Sequence, residues 1–215
     1  MNILITGENG FVGKPLVEVL KANSHSVFPL QADITKTEEI REKLHGNEAK
    51  GIAFDVCVHL AAMPHPMDVD EKPDAAVAVN VSGVFNLLSE LTFAGQKPRI
   101  VFPSTCQVYD KSLSNKINEE SRVIPQNLYA RTKLAAEKLV EQYSVENQVS
   151  AVAMRLFNHT HSSQKYRAFL PSVYSEIQKA DDVVKVGDLE LKRDFGALRD
   201  LLLAFVAVIE SNSAD

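Results

Sequence analysis

The stretch Gly7–Gly13, with the sequence GENGFVG, holds three glycines at intervals of three residues. It follows the apolar run Asn2–Thr6, which is typical of a buried parallel strand, and it precedes an amphipathic helix that begins near Lys14. In such a unit the first glycine permits a sharp turn, the second lets the backbone approach a pyrophosphate, and the third allows close helix–strand packing. The helix N-terminus adds free N–H groups and a partial positive charge. We therefore expect a nucleotide-binding turn here, in preference to an ordinary glycine-rich connection.

Short apolar runs alternate with helical stretches along the rest of the first 158 residues. Further strands are predicted at 26–30, 54–62, 99–105 and 149–158, and long helices at 74–92 and 128–145. This alternation predicts right-handed βαβ units and one doubly wound parallel sheet, the Rossmann-like α/β class.

The alternation stops after Asn158. A helix is predicted at 167–180, a short strand at 182–188 and a last helix at 197–211. We therefore expect two parts, a nucleotide-binding domain over 1–158 and a small second part over 159–215.

Composition limits the class of protein. The chain has 215 residues, 45% of them hydrophobic, and can bury one sizeable core. A net charge of −5 with no basic stripe argues against a nucleic-acid partner. Cys57 and Cys106 have no zinc-type spacing, so we expect a reducing cytoplasm and no metal. No leader segment is recognised, and no apolar run approaches the roughly 18 residues of a membrane span. A cytoplasmic protein without a membrane segment is the expectation.

Tyr129 and Lys133 lie four residues apart on the longest predicted helix and so share one face of it. An enzyme that transfers hydride to a carbonyl must also move a proton on the carbonyl oxygen. A tyrosine hydroxyl can do so if its pKa, ordinarily about 10, is lowered by a neighbouring ammonium. This spacing also occurs by chance on amphipathic helices, and it gains specificity from the glycine turn that precedes it on the same sheet.

Several motifs occur together in the order expected of one family. They are ITGENGFVG at 5–13, HLAA at 59–62, NVSGVFNLL at 80–88, STCQVY at 104–109 and YARTK at 129–133. Together they resemble the extended short-chain dehydrogenase/reductases, the NAD-dependent epimerase/dehydratase family that acts on nucleotide sugars. RLFNHT at 155–160 and VGDLELKRDF at 186–195 are most similar to the branch of GDP-mannose dehydratases, 4-keto-6-deoxy-sugar reductases and GDP-fucose synthases. The resemblance covers nearly the whole chain and implies a nucleotide-sugar substrate, with NAD or NADP as cofactor. It also implies a homodimer through the helices at 74–92 and 128–145.

The resemblance assigns roles to the matching residues. Tyr129 would be the acid/base, Lys133 would hold the nicotinamide ribose and tune Tyr129, and Thr105 would hydrogen-bond the reacting sugar oxygen. The cofactor would contact Gly7, Gly10, Phe11, Val12, Gly13, Asp33, Ile34, Leu60, Ala61, Ala62, Asn80, Tyr129 and Lys133. The substrate would contact Thr105, Asn158 and Arg193. Two alternatives stay open, because Asn80 also fits a bridge between backbone segments and Arg193 also fits a surface ion pair with Asp194.

The choice between NAD and NADP is not decided by the residues after the second strand. An acid is expected about 20 residues beyond the glycine turn, and Asp33 lies there, although the strand ends near Leu30. Gln31 carries no charge that would repel a 2′-phosphate, and Lys14 follows the last glycine. Both cofactors therefore remain candidates.

Two departures from the family pattern narrow the reaction. Dehydratases carry a glutamate just after the threonine, where this chain has Cys106 and Gln107, and an amide cannot abstract a proton from carbon. Cys106 matches the acid/base cysteine of GDP-fucose synthases, whose partner histidine follows the fifth strand, but His161 lies about two residues out of register. Cys106 is therefore both a candidate catalytic residue and a candidate buried thiol. The second departure is length, because relatives continue past the last helix and supply another phosphate-binding arginine there. The resemblance thus implies a dinucleotide-binding Rossmann domain over 1–158 and a small, partial, truncated substrate-binding lobe over 159–215.

These features favour an NAD(P)-dependent oxidoreductase that reduces a 4-keto-6-deoxy sugar nucleotide. One alternative is a nucleotide-sugar 4-epimerase, or a 3,5-epimerase/reductase, that retains its cofactor. An alternative of another class is a non-catalytic NAD(P)-binding sensor or scaffold protein, which the short C-terminal part favours.

Overall fold

Five parallel strands form the central sheet of the computed structural model, which describes residues 1–48, 51–112, 116–164, 168–180, 183–184 and 192–211. The strands are β1 (Asn2–Thr6), β2 (Ser26–Pro29), β3 (Val56–His59), β4 (Arg99–Thr105) and β5 (Ala151–Leu156). Their order is β2-β1-β3-β4-β5, and every neighbouring pair is parallel. The predicted Rossmann-like α/β class is confirmed.

Helices connect and cover these strands. They are α1 (Gly13–Ala22), α2 (Thr37–Glu48), α3 (Pro66–Glu71), α4 (Pro73–Val77), α5 (Gly83–Phe93), α6 (Leu128–Asn147), α7 (Phe169–Lys179) and α8 (Leu198–Glu210). A π-helical turn over 78–82 joins α4 and α5, so the helix predicted at 74–92 is one run with an irregular centre. Two short strands, β6 (Asn158–Thr160) and β7 (Phe195–Ala197), pair in parallel away from the main sheet. The strand predicted at 182–188 lies mostly outside the described residues.

Each face of the sheet has its own hydrophobic layer, because successive side chains of a strand point to opposite faces. On one face Leu4, Cys57 and Phe102 pack against residues of α2, α5 and α6. On the other face Ile3 and Ile5 pack against residues of α1 and α8. The three central strands β1, β3 and β4 are therefore buried on both sides, as their unbroken apolar sequences predict, while the edge strands β2 and β5 are half-buried.

Helix α8 completes the second layer. Leu198, Leu202, Phe205, Val206 and Ile209 belong to the same cluster as the strand residues of β1, β3 and β4. The hydrophobic core therefore continues past residue 158, where the sequence led us to divide the chain. The division into a dinucleotide-binding domain and a substrate lobe stays a prediction.

The helical run Pro73–Phe93 is long and apolar enough, by length and composition only, to cross a membrane. It has a mean hydropathy of 1.3 over its most apolar 18-residue window, contrary to our expectation that no apolar run approaches this length. Buried residues make up 44% of that window, and Val84, Leu87 and Leu91 pack in the sheet core. The core helix of a soluble protein has the same properties, so this run is weak support for a membrane span.

The order of the strands reverses between β1 and β3. The chain first moves outward from β1 to β2 and then returns to the other side of β1 to form β3, β4 and β5. In open parallel sheets this reversal leaves a crevice at the carboxyl ends of the strands, and ligands bind there. The turn Gly7–Gly13 and the segment after His59 both lie at this point.

Candidate active site

One large cavity opens at the carboxyl ends of β1, β3, β4 and β5. Its walls combine the glycine turn, the segment after β3, the end of β4, one side of α6 and the segment after β5. Predicted site residues in its wall are Gly7, Gly10, Phe11, Val12, Gly13, Leu60, Ala61, Ala62, Thr105, Cys106, Tyr129, Lys133 and Asn158. The structure thus brings together residues that are up to about 150 positions apart in the sequence.

The glycine turn is closed so tightly that only glycine fits at two positions. Gly7 has φ +69°, and a Cβ on it would lie 2.6 Å from the backbone nitrogen of Ala61. A Cβ on Gly13 would lie 2.1 Å from the carbonyl oxygen of Gly7, while the Gly10 N–H donates to that oxygen at 3.0 Å. Helix α1 begins at Gly13, so its N-terminus faces the cavity. A turn without side chains against a helix N-terminus fits the pyrophosphate of a dinucleotide.

Phe11 has a second contact that the sequence did not predict. Its ring stacks on the imidazole of His159, with centroids 5.8 Å apart. His159 lies in β6, so this contact joins the glycine turn to the segment that follows β5. Burial lowers the pKa of His159, which favours a neutral ring at this contact.

Thr105, Cys106 and Tyr129 form the reactive part of the wall. Thr105 is buried at the end of β4, and Cys106 begins the turn that follows it. Burial raises the pKa of Tyr129 to about 12, negative charge on Cys106 in its thiolate form adds to this effect, and a hydrogen bond with Thr105 opposes it. Burial also raises the pKa of Cys106, so that side chain is a thiol at neutral pH. The structure thus places a protonated tyrosine, which can donate a proton, beside a threonine hydroxyl.

Lys133 lies one helical turn after Tyr129 and is 4% exposed. Its ammonium nitrogen lies 4.0 Å from the centroid of the Phe102 ring. Burial lowers the pKa of Lys133 to about 7, and the Glu137 carboxylate opposes this shift. The sequence led us to expect that Lys133 lowers the pKa of Tyr129 toward neutrality. In this structure the pKa of Tyr129 is raised, because the phenol is buried, and the effect that opposes burial comes from the Thr105 hydroxyl.

The N-terminus of α6 is tied to the end of β4 by two amide side chains. The Asn127 Oδ1 accepts a hydrogen bond from the Ala130 N–H at 2.8 Å and so caps the helix. The Asn127 Nδ2 donates to the Gln107 Oε1 at 2.7 Å, and the Gln107 N–H donates to the Thr105 Oγ1 at 3.3 Å. This chain of contacts fixes Tyr129 relative to Thr105. Neither Asn127 nor the amide role of Gln107 was predicted, because no local pattern marks a contact between residues 20 positions apart.

Asn80 does not line the cavity. It is buried in the π-helical turn, where its Oδ1 accepts from the Met63 N–H at 2.8 Å and its Nδ2 donates to the Met63 carbonyl at 3.1 Å. The same Nδ2 donates to the Thr132 Oγ1 at 3.1 Å. The structure thus favours the alternative that Asn80 bridges segments, here the loop after β3 and helix α6, over direct contact with a cofactor.

Asp33 and Ile34 also lie outside the cavity wall. The Asp33 Oδ1 accepts hydrogen bonds from the Thr35 N–H at 3.0 Å and the Thr35 hydroxyl at 2.8 Å, which lower the pKa of the Asp33 carboxyl. The residues that line the cavity after β2 are Gln31 and Ala32. Ile34 packs so closely on α5 that a Cβ on Gly83 would lie 2.7 Å from its Cδ1.

The two predicted substrate contacts differ in their placement. Asn158 lines the cavity, and its Nδ2 donates to the Asp194 carbonyl at 2.9 Å. Arg193 is exposed, does not line the cavity and donates to the Lys192 carbonyl at 2.9 Å. Burial raises the pKa of Cys106, and the charge of Arg193 opposes part of that rise. Arg193 therefore lies near the reactive wall without forming part of it.

His59 lines the cavity, and the sequence did not predict its surroundings. It is 3% exposed, its Nδ1 is 2.8 Å from the Thr6 hydroxyl, and its Nε2 has no hydrogen-bond partner among the described residues. Burial, aided by the charge of Lys133, lowers the pKa of His59 to about 3, so the ring is neutral. Within the ranges given above, no group of three or more His, Cys, Asp or Glu residues is arranged to hold a metal ion.

Comparisons with known proteins identify the family and the fold of the chain. The model of the NAD dependent epimerase/dehydratase family matches residues 3–215. The chain is similar to the GDP-6-deoxy-D-mannose reductase of Pseudomonas aeruginosa, with 27% identity over 219 residues that cover 99% of this chain and 71% of the relative. It is also similar to methionine adenosyltransferase 2 subunit beta of Bos taurus, with 29% identity over 186 residues that cover 84% of this chain and 49% of that relative.

Among solved structures, RMD from Pseudomonas aeruginosa complexed with NADPH superposes with a TM-score of 0.86 at 26% identity, over 97% of this chain and 72% of that one. The predicted family resemblance, the predicted enzyme class and the use of NAD or NADP as cofactor are therefore confirmed at the level of the family. The chain belongs to the NAD dependent epimerase/dehydratase family, the extended short-chain dehydrogenase/reductases, which use NAD or NADP and include nucleotide-sugar reductases, dehydrogenases and epimerases.

Proposed function

We propose that this protein reduces the ketone of a 4-keto-6-deoxy sugar nucleotide, with Tyr129 as the acid that protonates the ketone oxygen. The observation that carries the proposal is the common wall of the cavity, where Thr105, Tyr129 and Lys133 face the same space as the glycine turn. A dinucleotide held by that turn would extend along the ends of β1 and β3 toward these three side chains.

The chemistry requires one hydride and one proton. A reduced nicotinamide cofactor supplies the hydride to the carbonyl carbon when it is bound. Tyr129 is protonated at neutral pH because burial raises its pKa, and its O–H can pass a proton to the oxygen as negative charge develops there. Thr105 can donate a second hydrogen bond to the same oxygen, and Lys133 can hold the ribose hydroxyls beside them. The roles of Tyr129, Thr105 and Lys133 stay predictions, and substitution of each residue tests them.

We infer further that the site prefers NADPH to NADH. Gln31 and Ala32, the residues that line the cavity after β2, carry no carboxylate, whereas NAD sites normally hold a ribose hydroxyl with an acid at this place. Lys14 lines the same cavity and can attract a 2′-phosphate, although Glu18 lies in the wall as well. Calorimetric titration with NADPH and with NADH should give tighter binding of NADPH. Equal or tighter binding of NADH would contradict this inference.

The reaction is tested by oxidation of NADPH in the presence of GDP-, UDP- and dTDP-linked 4-keto-6-deoxy sugars. We expect loss of absorbance at 340 nm with at least one of them, and a reduced sugar by mass spectrometry. A product that is an epimer, formed without net cofactor oxidation and with cofactor retained through purification, would instead support the 4-epimerase alternative.

A second candidate is a non-catalytic subunit that binds NAD(P). The observation in its favour is the similarity to a protein named as a subunit of methionine adenosyltransferase. Against it, Thr105, Tyr129 and Lys133 together face the cavity, an arrangement that a scaffold does not need. NADPH binding without turnover of any sugar nucleotide in the same assay would favour this candidate.

Two further expectations stay proposals. A homodimer through α5 and α6 is supported by exposed apolar side chains on both helices, Phe85 and Val145 among them. A cytoplasmic location is supported by the two free cysteines, Cys57 and Cys106, and is tested by fractionation of cells that express the protein.

A further inference from the structure

A cluster of charged side chains lies behind the cavity wall, and the proposed reaction does not use it. Its centre is Glu137 on α6, which is 7% exposed. Arg155 of β5 donates to both carboxylate oxygens, from Nε at 3.1 and 3.3 Å and from NH2 at 2.8 Å. The Ser104 hydroxyl of β4 donates to Glu137 Oε1 as well. Three separate elements thus converge on one buried carboxylate.

The arginine is itself held in place. Its guanidinium carbon lies 4.9 Å from the centroid of the Tyr109 ring, and its side chain is 22% exposed. A two-pronged arginine–carboxylate contact fixes both partners in one orientation. Because neither partner can rotate freely, the Glu137 carboxylate has a defined position relative to the rest of α6.

That position is one helical turn beyond Lys133, on the same face of α6. The groups near the Lys133 amine are the neutral His59 ring of β3, the Phe102 ring of β4 and, one turn along its own helix, Glu137, which is itself paired with Arg155 of β5. Of these groups Glu137 alone carries a negative charge at neutral pH. Burial disfavours the ammonium form of Lys133, and the Glu137 carboxylate opposes this effect.

We propose that Glu137, held by Arg155 and Ser104, is a positioning residue that favours the ammonium form of Lys133 while the cofactor binds. Glu137 does not line the cavity and acts only through Lys133. The inference rests on the proposed function, in which the Lys133 ammonium holds the cofactor ribose. It adds a buried carboxylate and its arginine to the residues on which the site depends.

The test is the pH dependence of NADPH binding, measured by the fluorescence of the nicotinamide without any sugar substrate. Affinity should fall as pH rises through the pKa of Lys133, because the neutral amine binds the ribose less well. In Glu137→Gln the opposing carboxylate is lost, so the midpoint of this fall should move to lower pH, by about one pH unit. The double variant Glu137→Gln/Arg155→Met removes the unpaired guanidinium as well and should show a shift in the same direction.

The matched control is Glu141→Gln, one turn further along α6. Glu141 is exposed and pairs with Lys138, so its loss should leave the midpoint unchanged. If the role of Glu137 were purely structural, Glu137→Gln would lower the melting temperature and leave the midpoint in place. In Glu137→Asp, which keeps a carboxylate, the midpoint should lie between that of Glu137→Gln and that of the wild type. Equal midpoints in the wild type, in Glu137→Gln and in the double variant would overturn this inference alone. Absence of NADPH binding by the wild type at every pH would overturn the proposed function and this inference together.

Discussion

The amine of Lys133 is held in surroundings that oppose its charge. Its burial disfavours the ammonium form, whereas the face of the Phe102 ring, 4.0 Å from the nitrogen, and the Glu137 carboxylate one turn away both favour it. Its pKa is about 7 in the folded protein, against an ordinary value near 10.5. Between these two values Lys133 is more often protonated in the unfolded chain than in the folded one, so the contribution of Lys133 to the stability of the fold rises with pH across this interval.

We expect Lys133→Met to remove this pH dependence. The apolar side chain fills a similar volume without a buried charge, so the free energy of unfolding should increase near pH 7 by about 1 kcal/mol or more. Urea unfolding at pH 7 and pH 10 measures both effects. A variant that loses stability at pH 7, with the wild-type slope against pH intact, would contradict the pKa assigned to Lys133.

The spacing of Tyr129 and Lys133 shows which features of the site a residue pattern can predict. Their spacing correctly predicts that both share one face of α6 and reach the cavity. The pattern fails on the direction of the pKa of Tyr129, because burial depends on Val69, Ala76 and other residues distant in the sequence. The types of two residues do not indicate how deeply their side chains are buried from solvent.

Helix α6 is the element that aligns the reactive side chains, and its first turn depends on Asn127. We expect Asn127→Ala to destabilise the protein by about 1 kcal/mol through loss of the cap, and to lower kcat by freeing Gln107 and the turn after Thr105. The control is Asn147→Ala, which removes a buried hydrogen bond to the Tyr143 carbonyl at the far end of the same helix. Denaturation with steady-state kinetics should separate the two, since only the first variant should lose kcat. An equal loss of kcat in both would contradict the positioning role of Asn127.

The glycine turn connects β1 with α1 and is the second element that the site requires. Gly13→Ala would place a Cβ 2.1 Å from the Gly7 carbonyl oxygen, so we expect it to abolish NADPH binding in a calorimetric titration. Gly46→Ala is the matched control, because nothing lies within 4 Å of its added Cβ and alanine favours a helix by about 1 kcal/mol. Wild-type affinity in the Gly13 variant would show that the turn does not hold the cofactor.

Elements with strong periodicity were the ones that the sequence predicted. All five strands of the sheet and the helix over 128–147 follow from apolar runs and from helical spacing. The π-helical turn around Asn80 and the links Asn127–Gln107 and Glu137–Arg155 do not, because each depends on partners from another element. The placement of Asp33 outside the cavity has the same origin, since its hydrogen bonds with Thr35 form only once the loop has folded.

At the scale of the whole molecule, one sheet serves as the platform for the site and for a proposed dimer. The cavity lies at the carboxyl ends of the strands, and α5 and α6 cover one face with exposed apolar side chains outside. Light scattering should give the mass of a dimer, and Phe85→Glu, at a side chain that is 57% exposed, should give a monomer. Leu203→Glu on α8, at the opposite face of the sheet, should leave the mass unchanged. A monomeric wild type would contradict the dimer.

The central claim is that this cavity transfers hydride with Tyr129 as the acid. Its most direct test compares the wild type and Tyr129→Phe in a single turnover of bound NADPH with the sugar nucleotide that the panel identifies. We expect the phenylalanine variant to bind NADPH as tightly as the wild type, while its rate of NADPH oxidation falls by about 100-fold or more. Oxidation of NADPH at the wild-type rate in Tyr129→Phe would contradict it.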